Sequence, residues 1–180
     1  MKTADEMIQY CYDNGTGEGF NEKQMRKHFE LAASQLGPNE EATVCFIGLH
    51  NFASITKHSY NFAYVVTTDR IIMAQKKVIG QEVQFINLKN LNDIKMRTGL
   101  VFGTLTFDTL KETFNVGVNK LELANIHNLV SNSVMGATNK VQTISESDPY
   151  EELKKAKELL DSGIISQEDF DAKKKQLLGI

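Results

Sequence analysis

Hydrophobic residues in the first forty positions recur at helical intervals. The segment Ala4–Tyr12 predicts a short helix, which the glycine-rich stretch 13–19 ends as a flexible break. Asn21 is typical of a helix N-cap, and the helical spacing that follows it continues until Gly37–Pro38. Residues 1–40 therefore predict an N-terminal helical arm made of two helices.

After Glu41 hydrophobic residues alternate with polar ones, which is the period of β-strands. Seven short segments show this pattern, and turn residues separate them: 43–50, 61–68, 70–75, 82–88, 92–97, 101–107 and 112–118. Many short strands of this kind predict an antiparallel sandwich or small barrel. A helix with one apolar stripe, carried by Leu123, Ile126 and Val134, follows them and is expected to cover an open end of the barrel.

These elements predict an α+β fold that is mainly β: seven antiparallel strands capped by a C-terminal helix, which is the pleckstrin-homology (PH) architecture. The PH-like domain is expected over residues 41–137, followed by a polar linker over residues 138–147. Residues 148–180 predict a helical hairpin, because Asp148–Pro149 is typical of a helix start and Gly163 of a helix end. About thirty residues cannot bury enough apolar surface to be stable alone, so the hairpin must dock on its own domain, a second copy or another protein.

The hairpin also carries a specific motif. Leu159–Phe170 reads LLDSGIISQEDF and resembles the motif of the SHOCT (short C-terminal) domain, and the likeness covers nearly the whole module, Asp148–Ile180. The apolar residues of the hairpin that need cover are the predicted partner-binding residues: Leu153, Leu160, Ile164, Ile165 and Phe170. Docking within the chain is the alternative, and both interpretations predict the same sequence pattern.

Two stretches of the strand-rich region resemble the bacterial PH-like family of the YokE type. They are Ala63–Ile72, with the sequence AYVVTTDRII, and Gly103–Asp108, with the sequence GTLTFD. PH-like and SHOCT modules commonly occur in this order. The resemblance implies a bacterial intracellular protein with no known enzymatic activity, and a role in binding or assembly.

Composition excludes several classes of protein. The chain has 180 residues, of which 41% are hydrophobic and 24% charged, close to average globular usage. Its longest apolar stretch, Val44–Leu49, is far too short to span a membrane, and the acids in the first ten residues argue against a signal peptide. Two cysteines fit a reducing cytoplasm, so we expect a cytoplasmic protein.

Sequence motifs for catalysis or metal binding are weak. Gly15-x-Gly17-x-Gly19 has neither a preceding strand nor a following Lys-Ser/Thr, so it does not predict a phosphate loop. His50 and His58 flank one loop, but no third metal ligand accompanies them. Cys45 lies within an apolar strand, where a buried and inert thiol is expected. We therefore predict no enzymatic activity, no catalytic residue, no metal and no cofactor.

Basic residues are too few for nucleic-acid binding but allow a second hypothesis. Residues 41–140 hold ten Lys or Arg against seven Asp or Glu, a net charge of +3, and contain no basic run. Lys57 and His58 lie in the first inter-strand loop, and Lys76 and Lys77 lie in a later one. These four residues are the candidate lipid-binding or ligand-binding residues of a peripheral membrane adaptor that contacts anionic lipid weakly.

Self-association is the favoured hypothesis for function. An open barrel leaves strand edges, and edges pair with other chains unless they are blocked. Residues 70–75 and 83–88 contain few charges and no proline, so at least one of them is expected to lie at a pairing edge. We expect a homo-oligomer that assembles through the PH-like domain, whose SHOCT-like tail recruits a protein partner or closes contacts between subunits.

Overall fold

The computed structural model describes residues 1–144 and 167–178, together with Leu153, Lys154, Lys157 and Leu160. The chain divides into two compact units, Met1–Thr138 and Asn139–Ile180.

The first unit consists of helices around a seven-stranded antiparallel sheet. Its helices are α1 (Ala4–Asn14), α2 (Glu22–Ala33) and α3 (Leu123–Ile144), the last of which continues into the second unit. The strands are β1 (Ala42–His50), β2 (Asn61–Thr67), β3 (Arg70–Lys76), β4 (Gln81–Asn87), β5 (Leu91–Thr98), β6 (Phe102–Thr109) and β7 (Thr113–Asn119). Their order in the sheet is β4-β3-β2-β1-β7-β6-β5. The predicted fold class, mainly β with seven antiparallel strands and a capping helix, is confirmed.

The concave side of the sheet holds the main aromatic core. Phe46 and Tyr64 stack with ring centroids 4.7 Å apart, and Phe107 stacks in turn on Phe114 at 5.1 Å. Helix α3 closes this core with its apolar stripe, of which the buried members are Leu123, Ile126 and Val130. The stripe predicted for this helix therefore covers the β-domain.

The other face of β1, β2 and β3 is buried too. Cys45, Val65 and Ile72 alternate with the residues of the aromatic core and pack against α1 and α2 through side chains such as Met25 and Phe29. Strands β1–β3 are therefore covered on both sides, and their sequences are nearly continuous apolar runs for that reason. The predicted N-terminal arm is a packed helical layer of the domain.

The glycine-rich stretch between α1 and α2 is an anchored loop, which corrects the predicted flexible break. Thr16 is fully buried, and its hydroxyl donates to the carbonyl of Cys45 at 2.7 Å. A Cβ on Gly17 would lie 3.0 Å from the terminal methyl of Met25, so a side chain there would force its neighbour to move. The N–H of Glu18 donates to the buried carboxyl of Glu122 at 2.7 Å, and burial raises the pKa of that carboxyl. Glycine here serves close approach of the backbone, which spacing alone did not indicate.

A partly buried ion pair joins the segment after α2 to the β2–β3 turn. The Glu40 carboxylate accepts from Nε of Arg70 at 2.9 Å and from its Nη2 at 2.7 Å. It also accepts from the Thr67 hydroxyl at 2.9 Å and from the N–H of Gly37 at 3.0 Å. These bonds, with those of Arg70 largest, lower the pKa of Glu40 to about 2.

The linker and the tail differ in part from the prediction. Helix α3 runs to Ile144, into the segment 138–147 that was predicted as linker, because that segment contains no glycine or proline. In the second unit Leu153, Lys154, Lys157 and Leu160 are helical, and α4 spans Gln167–Leu178. Ile164 and Ile165 lie outside the described residues. The division of the chain into four segments stays a prediction.

We expect Glu40→Gln to destabilise the first unit. Removing one charge of a partly buried, bidentate pair leaves Arg70 without a counter-ion, so urea unfolding at pH 7 should show a loss of about 2–3 kcal/mol. Because the pKa of Glu40 is lowered in the folded state, its stabilisation is present above about pH 4.5 and is lost as the pH falls towards 2. The variant and the wild type should therefore converge in acid.

The matched control is Glu41→Gln. Glu41 is the exposed neighbour and makes one ion pair, 3.6 Å from Lys2. Its loss should cost less than about 0.5 kcal/mol. Equal stability of Glu40→Gln and Glu41→Gln at pH 7 would mean that the Glu40–Arg70 pair does not hold the two layers together.

Candidate functional site

A cavity of about 780 Å³ lies beside the β3–β4 hairpin. The hairpin, the end of the β1–β2 loop and helix α2 enclose it. Its lining residues come from those three elements: Lys27, His28, Ser59, Tyr60, Asn61, Gln75, Lys76, Lys77, Val78, Ile79 and Glu82. We call this cavity the hairpin pocket.

Buried polar groups fix the floor of the hairpin pocket. The Gln75 amide donates to the carbonyls of Ser59 at 2.9 Å and Asn61 at 3.1 Å, which ties β3 to the end of the β1–β2 loop. Nδ1 of His28 accepts the N–H of Lys76 at 2.9 Å, which ties α2 to the end of β3. Burial, followed by the charge of Lys27, lowers the pKa of His28 to about 4, so the imidazole is neutral at pH 7.

Three lysines and one glutamate give the rim of the pocket a positive balance. Nζ of Lys77 lies 2.8 Å from the Glu82 carboxylate, and Nζ of Lys76 donates to the Gln81 amide oxygen at 3.1 Å. Lys27 reaches the same rim from helix α2. These cations sit at the mouth. In the floor Gln75 and His28 are hydrogen-bonded to protein, whereas the buried Oδ1 of Asn61 has no hydrogen-bond partner among the described residues.

The tip of the β3–β4 hairpin is apolar and exposed. Val78 is fully exposed and Ile79 is 90% exposed, while Tyr60 on the opposite wall is 73% exposed. Gly80, with a φ of 83°, supplies the left-handed conformation that the tight turn needs. Neighbouring large apolar side chains that all face water are typical of a surface that contacts a partner.

The structure brings two of the four predicted lipid-binding residues to this pocket. Lys76 and Lys77 line it, but Lys57 and His58 are not among its lining residues. The His58 ring instead shapes its own loop: Nδ1 accepts the N–H of Tyr60 at 3.0 Å, and Nε2 bonds with the Ile55 carbonyl at 3.0 Å. The bond from the Tyr60 N–H supports the left-handed backbone of Tyr60, whose φ is 66°.

Sequence reasoning named two of the eleven lining residues and missed the other nine, among them Lys27, His28 and Tyr60. Lys27 and His28 come from α2, and the sequence places them far from the hairpin. Tyr60 was counted as a loop residue. The one available signal was His28 itself, because it falls at helical spacing from Met25 and Ala32 and so shares their buried face.

The other candidate chemical groups are structural. His50 is buried in the aromatic core, where its Nδ1 lies 2.8 Å from the Tyr64 hydroxyl, so it does not pair with His58, which is partly exposed. Cys11 and Cys45 are buried, and burial raises the pKa of both thiols, which keeps them unreactive. Within the described residues, no three His, Cys, Asp or Glu side chains gather to hold a metal ion.

The two edges of the sheet differ in charge. Of the two segments of which at least one was expected at an edge, residues 70–75 form the inner strand β3, which pairs with β2 and β4, whereas residues 83–87 belong to the outer strand β4. The outer strands are β4 and β5. β4 carries one charged residue, Glu82, whereas β5 exposes three, Asp93, Lys95 and Arg97. Charged side chains are a common means of blocking an edge, so β4 is the more open of the two.

A seven-stranded antiparallel sheet closed by a C-terminal helix defines a PH-like domain. The family model described as "Bacterial PH domain" matches residues 36–132, more than half of the chain, and the chain belongs to that family. The model described as "Short C-terminal domain", SHOCT, matches residues 151–178. Both resemblances expected from the sequence are confirmed.

Other comparisons add little. A solved structure entitled "Autoinhibited Vav1" is similar with a TM-score of 0.39 and 8% sequence identity, over 81% of this chain and 24% of that one. The chain thus spans about a quarter of that protein. The comparison with curated proteins gave no match. Among the helices in the described part of the chain, none is both long and apolar enough to cross a membrane.

We expect the wild type to lose stability as the pH falls from 7.5 to 5, and His28→Asn to lose less. Folded His28 stays neutral down to about pH 4, whereas the unfolded imidazole gains a proton near pH 6.5, so acid favours unfolding. Asparagine keeps an acceptor for the N–H of Lys76 and does not titrate. Urea unfolding should show a pH-dependent loss that is larger in the wild type by about 1–2 kcal/mol.

His50 is unchanged in this pair of proteins, so its own titration cancels in the comparison. Equal pH dependence of the two proteins would mean that His28 is protonated in the folded state and does not hold the pocket floor as described.

Proposed function

We propose that this protein is a non-catalytic binding module that self-associates through its PH-like domain. The two domains found, PH-like and SHOCT, are typically non-catalytic, which supports this proposal. The single observation that carries the proposal is the open edge at β4, which has one charged residue in Gln81–Asn87 and pairs only with β3 among the described strands. His28 and Glu82 are groups in the hairpin pocket that are capable of acid–base chemistry, and each bonds to the hairpin itself. Because these bonds already occupy them, they support a binding role for the pocket.

The tail adds a second contact surface in this proposal. Leu153, Leu160 and Phe170 are partly buried in the second unit, so each keeps some apolar surface exposed. A short pair of helices buries too little apolar area to be stable by itself. We propose that these side chains, with the predicted Ile164 and Ile165, bind a protein partner or close contacts between subunits.

Light scattering coupled to size exclusion tests where assembly takes place. The full chain and a chain that ends at Thr143 are compared over a range of concentrations. We expect the same discrete oligomer for both, because the proposed interface lies in the β-domain. An oligomer formed by the full chain alone would move assembly to the tail, and two monomers at high micromolar concentration would overturn self-association.

A second candidate, contact with an anionic membrane surface, rests on the hairpin tip. Val78 and Ile79 project from the domain beside Lys76 and Lys77, and Lys27 lines the same pocket. An apolar tip flanked by cations is suited to the boundary between lipid headgroups and acyl chains. The pairing of Lys77 with Glu82 reduces the free charge, so we expect such binding to be weak and sensitive to salt.

Vesicle sedimentation tests this second candidate. If the tip inserts, the wild type should co-sediment with vesicles that contain phosphatidylserine, less with phosphatidylcholine alone, and Val78→Asn/Ile79→Asn should abolish binding. The control is Leu110→Asn, which removes another exposed apolar side chain, in the β6–β7 turn. Equal binding of the tip variant and the control, or no binding of the wild type, would rule the membrane contact out.

A further inference from the structure

We infer that β4 pairs with β4 of a second copy, antiparallel and about a two-fold axis at Gln84. This inference rests on the proposed self-association and names its interface. Seven residues of β4, Gln81–Asn87, pair with Lys76–Arg70 of β3 on one side. In the described part of the chain no strand pairs with β4 on its other side, so every second backbone N–H and C=O there points outward.

The geometry of a two-fold axis restricts how two β4 strands meet. An axis perpendicular to the sheet leaves each side chain on the face where it started, and residues directly opposite each other share a face. One residue must therefore lie opposite its own copy. Gln84 is the middle residue of Gln81–Asn87, so an axis there lets the whole strand pair.

Side chains along β4 suit this register. With Gln84 on the axis, Val83 lies opposite Phe85 of the second copy, which is an apolar and aromatic pair of the kind that stabilises sheets. Glu82 lies opposite Ile86, and Gln81 opposite Asn87, so no like charges face each other. At the axis, the uncharged amide of Gln84 lies opposite the same amide of the second copy.

The Phe85 ring is fixed by a contact from the neighbouring strand β3. The Arg70 guanidinium lies 4.6 Å from the centre of its ring, and Arg70 is itself fixed by the Glu40 carboxylate. Phe85 nevertheless stays 47% exposed. A ring that is fixed on one side and open on the other loses little conformational freedom when a second copy covers it.

The alternative edge is less suited to the same contact. β5 exposes three charged side chains, Asp93, Lys95 and Arg97, and its pairing with β6 has an irregular register between Leu91 and Asp93. Irregular and charged edges resist the addition of a strand.

Single cysteines along β4 of the full chain test the interface. Gln84→Cys, Asn87→Cys and, as a control on the other edge, Met96→Cys are treated with a short bismaleimide after light scattering has established the oligomer. Cys11 and Cys45 are buried with raised thiol pKa values, so the reagent should leave them unmodified. We expect Gln84→Cys to form a cross-linked dimer at least ten times faster than either other variant.

The reason is distance. Cysteines at position 84 should lie about 5 Å apart across the axis, whereas two copies of position 87 should lie about 20 Å apart along the strands. Gln81→Cys mixed with Asn87→Cys should also cross-link, because this register places positions 81 and 87 opposite each other. An unlabelled wild-type chain added in excess should reduce all of these products.

The outcomes separate the two proposals. An oligomer in which Gln84→Cys cross-links no faster than Asn87→Cys, or in which Met96→Cys cross-links fastest, would overturn the β4 interface and leave self-association standing. A monomer by light scattering would overturn self-association itself, and the β4 interface with it.

Discussion

Burial of β1, β2 and β3 on both faces is the constraint on which the rest of this structure depends. Consecutive residues of β1, such as Cys45 and Phe46, point to opposite faces of the sheet, and both are fully buried. A sheet of this kind exposes apolar surface unless two layers cover it. Helices α1 and α2 supply one layer, and α3 with the β5–β7 strands supplies the other. The first forty residues are consequently part of the domain rather than an addition to it.

The same layering produces both the hairpin pocket and the open edge at β4. Helix α2 contributes Lys27 and His28 to the hairpin pocket because it must lie across β2 and β3, where its contacts are concentrated. The helical layer stops short of full cover for β4: on that side Val83 is partly buried and Phe85 stays half-exposed, whereas Ile86 is buried on the other side, in the aromatic core. An edge strand that is half covered keeps a regular backbone while its outer side remains open for pairing.

Local patterns predicted the elements well and the neighbours of each element poorly. Short apolar or alternating segments between turn residues located the seven strands, and helical spacing located the capping helix, because both depend on burial along a single segment. The order of strands depends on contacts between distant segments, so the position of Arg70–Gln75 inside the sheet was not predictable from its composition. The predicted flexible break was wrong for a related reason: the loop is held by bonds to distant segments, such as that from the Thr16 hydroxyl to the Cys45 carbonyl, and these are tertiary contacts. Of the candidate site, Lys76 and Lys77 were found, and the α2 residues were not.

Pairing through β4 and membrane contact through the hairpin tip require different arrangements of the two copies. A two-fold axis at Gln84 reverses the direction of the second β4, so the two hairpin tips, each with Val78 and Ile79, point in opposite directions. Along the strands the two Gly80 turns would be about 26 Å apart. Two tips that face opposite ways cannot both enter one flat bilayer, so pairing through β4 brings no gain in avidity for a membrane. An oligomer that binds vesicles much more tightly than its monomer would therefore need an interface other than β4, with both tips on one side.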